Sequence, residues 1–215
     1  MAGNNTTEEK IYQAAFRLFM SRPYELVTIS DIEKAIGMTR GAIFYYVKDK
    51  HELFERVIER YFVTSQNLYN SIGEDILYKD ITLLEFINIY IAALAKKIDT
   101  LYAFVGIDKS KADKNTIQQA NCSYLALAFN IGYHLNSSYY ERIDSLFRID
   151  KNTWSFFIQK AIERGEVKPN TNVSLFGEIF TSIYLGTSFH DAFANGVDVQ
   201  KMKLLFMEIY DRIKY

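Results

Sequence analysis

The segment Thr39-Arg40-Gly41-Ala42 has the clearest chemistry in this sequence. A guanidinium can donate two parallel hydrogen bonds to a guanine edge, worth roughly 1 to 3 kcal/mol of discrimination against the other bases. Beside it, Gly41 and Ala42 carry little or no side chain, so the backbone there can approach another surface closely. Tyr45 and Tyr46 follow with hydroxyls suited to phosphate oxygens. Lys50 stands where a new helix begins, so its charge adds to free amides and a helix dipole that already favour an anion. These residues suit a surface that reads base edges at one point and grips a phosphate backbone around it.

Other reactive residue types do not assemble. His190 and Asp191 are adjacent and project about 100° apart on a helix, so neither is expected to orient the other. His51 and Glu55, one turn apart, supply two metal ligands without a third, and a solvated helix face accounts for them. Gly-rich phosphate loops are absent, and the single cysteine, Cys122, reads as a small apolar helix residue. The expectation is no enzyme, no cofactor and no metal.

The elements that must position Arg40 can be read from spacing. Ile11, Ala14, Ala15, Leu18 and Phe19 form one apolar stripe of a first helix from about Thr7 to Met20, stopped before Pro23. Thr28 and Asp31 have the form of a capping box opening a second helix to Ile36, with Ile32 and Ile36 on its buried side. Gly37 suits the left-handed residue that ends it, Met38 can plug the corner, and Thr39 can cap a third short helix through Tyr46. Ile32, Ile36 and Ile43 are spaced to pack these two helices together. Asp49 with Glu52 repeats the cap and starts a fourth helix, apolar at Leu53, Phe54, Val57, Ile58, Tyr61 and Phe62, reaching about Tyr69.

Composition bounds the rest. Only 2 prolines in 215 residues, with 49% hydrophobic and 15% aromatic residues, predict an all-α chain with ample core material. A net charge of -1 excludes a protein coated in basic surface, so any DNA contact must be local. The opening segment lacks the apolar stretch of a secretory signal, and no run is long enough to span a membrane, so the expected location is cytoplasmic.

The run from Thr28 to Phe54, TISDIEKAIGMTRGAIFYYVKDKHELF, resembles the DNA-binding signature of the TetR family of transcriptional regulators, and the Ile11 to Phe19 helix matches as well. The resemblance covers roughly the first quarter of the chain and rests on the Thr cap, the Gly corner, Arg40-Gly41 with a small residue after it, the aromatic trio Phe44-Tyr45-Tyr46 and Lys48-x-Lys50. It implies a three-helix helix-turn-helix domain over residues 1–54, with its motif at 28–47, joined by a long helix to a helical effector-binding and dimerisation domain over 55–215. It also implies that Thr28, Thr39, Tyr45, Tyr46 and Lys50 contact the DNA backbone and that Arg40, Gly41 and Ala42 lie near bases. Phe44 departs from the tyrosine frequent there, and Val47 replaces a common phenylalanine. A small-molecule effector would then oppose binding to a palindromic operator, acting through the fourth helix.

Beyond residue 82 the pattern predicts helices over Leu83 to Leu101, one or two over Thr116 to Phe147, another over Asn152 to Arg164, and a solvated linker from Asp108 to Asn115. The last two helices, 173–195 and 198–214, each show two apolar faces. Phe176, Phe180, Ile183 and Thr187 stand opposed to Leu175, Ile179 and Phe189 on the first; Leu205, Ile209 and Ile213 compare with Leu204 and Met207 on the second. One face of each needs a partner, which predicts a homodimer through these helices. Tyr102, Phe104, Tyr124, Phe129, Tyr133, Trp154, Phe157 and Tyr184 are the expected lining of a pocket for an apolar or aromatic effector, with His134 as its polar anchor. The rival class is a helical carrier of small molecules that binds no DNA.

Overall fold

A computed structural model describes residues 7–64, 72–135 and 137–215. Nine α-helices carry the described residues: α1 (Thr7–Ser21), α2 (Ile29–Ile36), α3 (Arg40–Phe44), α4 (Lys50–Ile58), α5 (Leu83–Phe104), α6 (Lys114–His134), α7 (Ser137–Glu163), α8 (Val173–Ala192) and α9 (Val199–Ile213). Short 3-10 turns at Tyr24–Leu26 and Glu74–Tyr78 supplement them. The all-α expectation holds.

Two apolar cores organise the chain. The first gathers Phe16 and Phe19 of α1, Ile32 of α2, Ile43 of α3 and Phe54 of α4, all essentially inaccessible to water. It also takes in Leu127, Ile131 and Leu135 from the far end of α6, together with Tyr139 of α7. The N-terminal helices and the second half of the chain are therefore joined by shared apolar burial. The second core stacks Trp154 on Phe180 at 4.3 Å and Phe86 on Phe157 at 3.9 Å between ring centroids, with Tyr90 and Phe206 closing around them. Rings packed this way add about 0.5 to 1.5 kcal/mol per pair beyond the area they bury.

Local rules account for most helix ends. Thr28 and Asp31 exchange the reciprocal capping-box bonds at 3.2 and 2.9 Å, and Thr82 with Glu85 does the same at the start of α5. Glu166 adds its carboxylate to the amides of Leu83 and Leu84, placing negative charge on the positive end of α5. Gly37 takes φ 66° and returns its N–H to the Glu33 carbonyl at 2.9 Å, which turns the corner between α2 and α3.

Several boundaries differ from those read off the sequence. α3 ends at Phe44 and not Tyr46, and Thr39 sits in the cap position without a side-chain cap bond. On α2 the buried partner of Ile32 is Ile29, while Ile36 is half-buried, because so short a helix is buried mainly at the end held by its cap. α4 passes into a π-helical turn at Glu59–Val63, and the expected end near Tyr69 lies outside the described residues. No break separates Phe147 from Asn152. α7 runs through this polar stretch because Asp150 is buried and accepts hydrogen bonds from the hydroxyls of Thr181 (3.1 Å) and Tyr90 (3.3 Å). On α9 the inward stripe is Met202, Phe206, Tyr210 and Ile213, with Leu204 and Leu205 turned outward.

Candidate nucleic-acid interface and effector cavity

Ile43 is fully buried against the first core and pins the short α3 by its inner side. Its outer side is therefore free of the fold. Thr39, Arg40 and Gly41 are exposed, Ala42 is partly so, and Tyr45 is 82% exposed. The Arg40 guanidinium lies 5.3 Å from the Phe44 ring centroid, a cation–π contact that extends the side chain along the helix. The half-buried Tyr46 meets Tyr45 edge-on at 5.1 Å. Gly41 has ordinary negative φ, and a Cβ built on it would meet nothing within 4 Å. A glycine inside a helix costs about 0.8 to 1.0 kcal/mol relative to alanine. Nothing inside the molecule requires a glycine at this position.

Thr28 and Lys50 are placed differently from what their types suggested. The Thr28 hydroxyl is engaged by Asp31, and those bonds hold the Asp31 carboxyl below its ordinary pKa. The Lys50 ammonium points back into the domain and donates to the carbonyls of Tyr24 (3.0 Å) and Val27 (3.1 Å), 4.0 Å from the Tyr24 ring centroid. It ties the start of α4 to the turn between α1 and α2, so its side chain braces the two ends of the motif.

A cavity of about 460 Å³ opens among α5, α6, α7 and α8. Of the residues expected to line it, Tyr102, Tyr124 and Tyr184 do so. Trp154 and Phe157 do not; both are spent in the solid second core. Phe104 packs against Tyr61 at 5.0 Å near α1. Phe129 and Tyr133 point to solvent at 62% and 85% exposure, since five and nine residues from Tyr124 are rotations of roughly 140° and 180° away from the wall. His134 belongs to the domain junction instead. Its ring lies 4.4 Å from that of Tyr24, and its Nε2 meets the Glu25 carboxylate at 2.9 Å.

Sequence reasoning missed Lys97, Phe62 and Tyr139 in the cavity wall. Lys97 was findable: Leu94, Lys97, Ile98 and Leu101 share one face of α5, so a lysine stands within the apolar stripe. Its ammonium donates to the Tyr184 hydroxyl at 2.9 Å, and burial pulls its pKa below the ordinary lysine value. Phe62 comes from the π-helical turn and meets the Tyr124 ring at 5.1 Å. Tyr139 donates to the Glu55 carbonyl of α4 at 2.9 Å, and burial pushes its own pKa up to about 12.

Contrary to the expectation that neither orients the other, His190 and Asp191 are in contact, with Nδ1 and Oδ1 2.9 Å apart. Backbone directions diverge at neighbouring positions, but an imidazole can swing back over the next carboxylate. Asp191 also receives the Lys201 ammonium at 2.7 Å and the Asp198 amide at 3.3 Å, an arrangement that joins α8 to α9. Among the described residues no group of three or more His, Cys, Asp or Glu gathers as a metal site, and no helix is long and apolar enough to cross a membrane.

The arrangement of α1 to α4 agrees with a comparison of the sequence with known families, in which residues 11–57 match the model of bacterial regulatory proteins of the tetR family. The N-terminal domain is that of the TetR family. A curated relative, the HTH-type transcriptional regulator AcrR of Shigella flexneri, is 40% identical over 53 residues, spanning 25% of this chain and 25% of the relative. Only about a quarter of that relative is thus matched. The TetR-type fold extends further than the sequence likeness. A TetR family regulator from Agrobacterium tumefaciens superposes with a TM-score of 0.62 at 20% identity, over 97% of both chains. A structure described as a SmeT-Triclosan complex gives 0.63 at 15% identity, over 97% of this chain and 92% of that one.

Proposed function

We propose that the protein is a ligand-responsive transcriptional regulator, a repressor whose dimer binds a palindromic operator through α3 and is released when a small molecule enters the cavity. The observation that carries the reading is the outward start of α3, where Arg40, Gly41 and Tyr45 are accessible while Ile43 anchors the helix from behind. In this reading Arg40 reads a base edge, Gly41 and Ala42 permit close approach, and Thr28, Thr39, Tyr45 and Tyr46 contact phosphates. Lys50 acts by bracing α4, with its helix N-terminus toward the anion.

The dimer forms through α8 and α9, within 173–195 and 198–214. Leu175 and Phe193 stand exposed along α8, Leu185 and Phe189 are partly exposed there while also lining the cavity, and Leu204 on the adjoining α9 is 71% exposed. Symmetric pairing of such faces is the commonest way a chain covers them. Two α3 helices would then meet half-sites about 10 base pairs, or a multiple, apart.

The effector site is the 460 Å³ cavity, within the size range of drug-like ligand pockets. A structural neighbour of the same fold is described as a complex with triclosan, which supports uptake of a small molecule by a chain of this kind. Coupling runs through parts shared by cavity and DNA-binding domain. Tyr139 is at once cavity wall and hydrogen-bond donor to α4, Phe62 brings the π-helical turn into the wall, and α6 lends Leu127 and Ile131 to the N-terminal core. π-turns are frequent where a helix must adjust for function.

Selection of bound fragments from the source genome, followed by an electrophoretic shift with the enriched sequence, tests the reading. A regulator enriches a palindrome and shifts it; a carrier enriches nothing above background, and that result removes the proposal.

A further inference from the structure

The cavity wall is apolar along most of its surface, and its charge is concentrated at one point. Lys97 of α5 enters the wall beside Leu94, Ile98 and Leu101 and donates to the phenol of Tyr184 across the space from α8. Tyr124 of α6 stands near enough for its phenol to act on the field at this ammonium. Two further polar groups of the wall are engaged with each other and the backbone: the Tyr102 hydroxyl donates to the Asn121 side-chain oxygen at 2.9 Å, and the Asn121 amide donates to the Ile117 carbonyl at 2.8 Å. No acidic side chain lines the wall among the described residues. Asp150, a carboxylate whose field acts on this ammonium, is not part of the wall and is held by Thr181 and Tyr90.

We propose that the natural effector is an amphipathic organic acid, an apolar body with a carboxylate or comparable anionic head, whose head seats on the Lys97 ammonium beside the Tyr184 hydroxyl. The proposal rests on the reading of this cavity as an effector site and specifies its chemistry. Three ligand classes meet this wall differently. A cation meets a like charge in a weakly screened space, where repulsion is far stronger than in water. A neutral ligand leaves the ammonium with the partners it has. An anion gains a charge-assisted hydrogen bond, roughly twice as strong as a neutral one, and restores the solvation the ammonium lost on burial. Burial already holds the Lys97 pKa below its ordinary value, so the folded protein bears that cost before any ligand arrives. Lysine serves as a point charge on a flexible stem and suits a head group whose orientation is set by the apolar body, unlike a bidentate arginine clamp.

The test uses the full-length protein and straight-chain carboxylates from octanoate to dodecanoate, each paired with the primary amide of equal length, titrated by calorimetry. The wild type is expected to bind the best-fitting acid at least about tenfold more tightly than its amide, the ratio a charge-assisted bond supplies. Lys97→Met should abolish that preference by weakening the acid while leaving the amide within about threefold, and Lys97→Arg should restore part of it. Lys97→Gln repeats the comparison should the methionine variant fail to fold, and the wild-type ratio needs no variant. Acid and amide binding equally well would overturn the anionic head while sparing the cavity as a ligand site. Binding of neither series at any length would overturn both.

Discussion

Asp150 offers a direct measure of how the second core tolerates a charge. The carboxyl is buried, and desolvation pushes its pKa from 3.8 up to about 6, against the lowering by the hydroxyls of Thr181 and Tyr90 and the field of Lys97. Because the folded value lies above the unfolded one, the folded state holds the proton more tightly. The associated stability is complete below pH 3.8 and is lost as pH rises through about 6. A difference of about 2 in pKa corresponds to about 3 kcal/mol in total, of which roughly 2 kcal/mol disappears between about pH 4.5 and pH 7. Asp150→Asn keeps the shape and an oxygen able to accept the same two hydroxyls, but cannot ionise. Urea unfolding of both proteins across that interval, at one fixed protein concentration so that the proposed dimerisation contributes equally to each, reads the difference directly. The variant should gain about 2 kcal/mol on the wild type as pH rises, with most of the gain complete by about pH 6.5. Parallel curves would refute the reasoning, since they would mean that folding does not change how tightly Asp150 holds its proton.

Gly37→Ala should cost about 1 to 2 kcal/mol in unfolding experiments, from backbone strain alone: φ is 66° and a Cβ there meets nothing within 4 Å. Arg40→Ala should relax selectivity at one base position by about 1 to 3 kcal/mol in competition binding with single-base operator variants, while a uniform loss over all variants would make Arg40 a phosphate clamp. Leu204→Glu places a charge on the outward apolar stripe of α9 and should shift sedimentation toward the monomer without changing the far-UV circular dichroism. An unchanged dimer would move the interface elsewhere.

Near the N-terminus, local rules set the elements, and the sequence is legible there. Thr28 with Asp31 determines where α2 starts, Gly37 where it stops, and Ile32 with Ile43 how the next helix sits, all within sixteen residues of one another. Short-range rules suffice when every partner is a near neighbour. Lys50 marks their limit. Its type and place at a helix start suggested a phosphate, yet the carbonyls it reaches belong to Tyr24 and Val27, more than twenty positions earlier.

In the second half, helix periodicity was enough to say that the chain is helical and rich in apolar faces, but not which aromatic ring fills a core and which leaves a space. Trp154 and Phe157 have the same composition signal as Tyr124 and Tyr184, and only the packing of α5, α7, α8 and α9 consigns the first pair to a solid stack and the second to a cavity wall. The inward face of α9 is hidden from periodicity for a related reason, since apolar residues occupy both of its sides, Met202, Phe206 and Ile213 inward and Leu204 and Leu205 outward. A void is the difference between large volumes contributed by several distant helices, and no local pattern encodes such a difference. Lys97 is the exception that periodicity could have caught, because a lone charge in an apolar stripe stands out in one dimension, while the phenol it meets is brought there only by the fold.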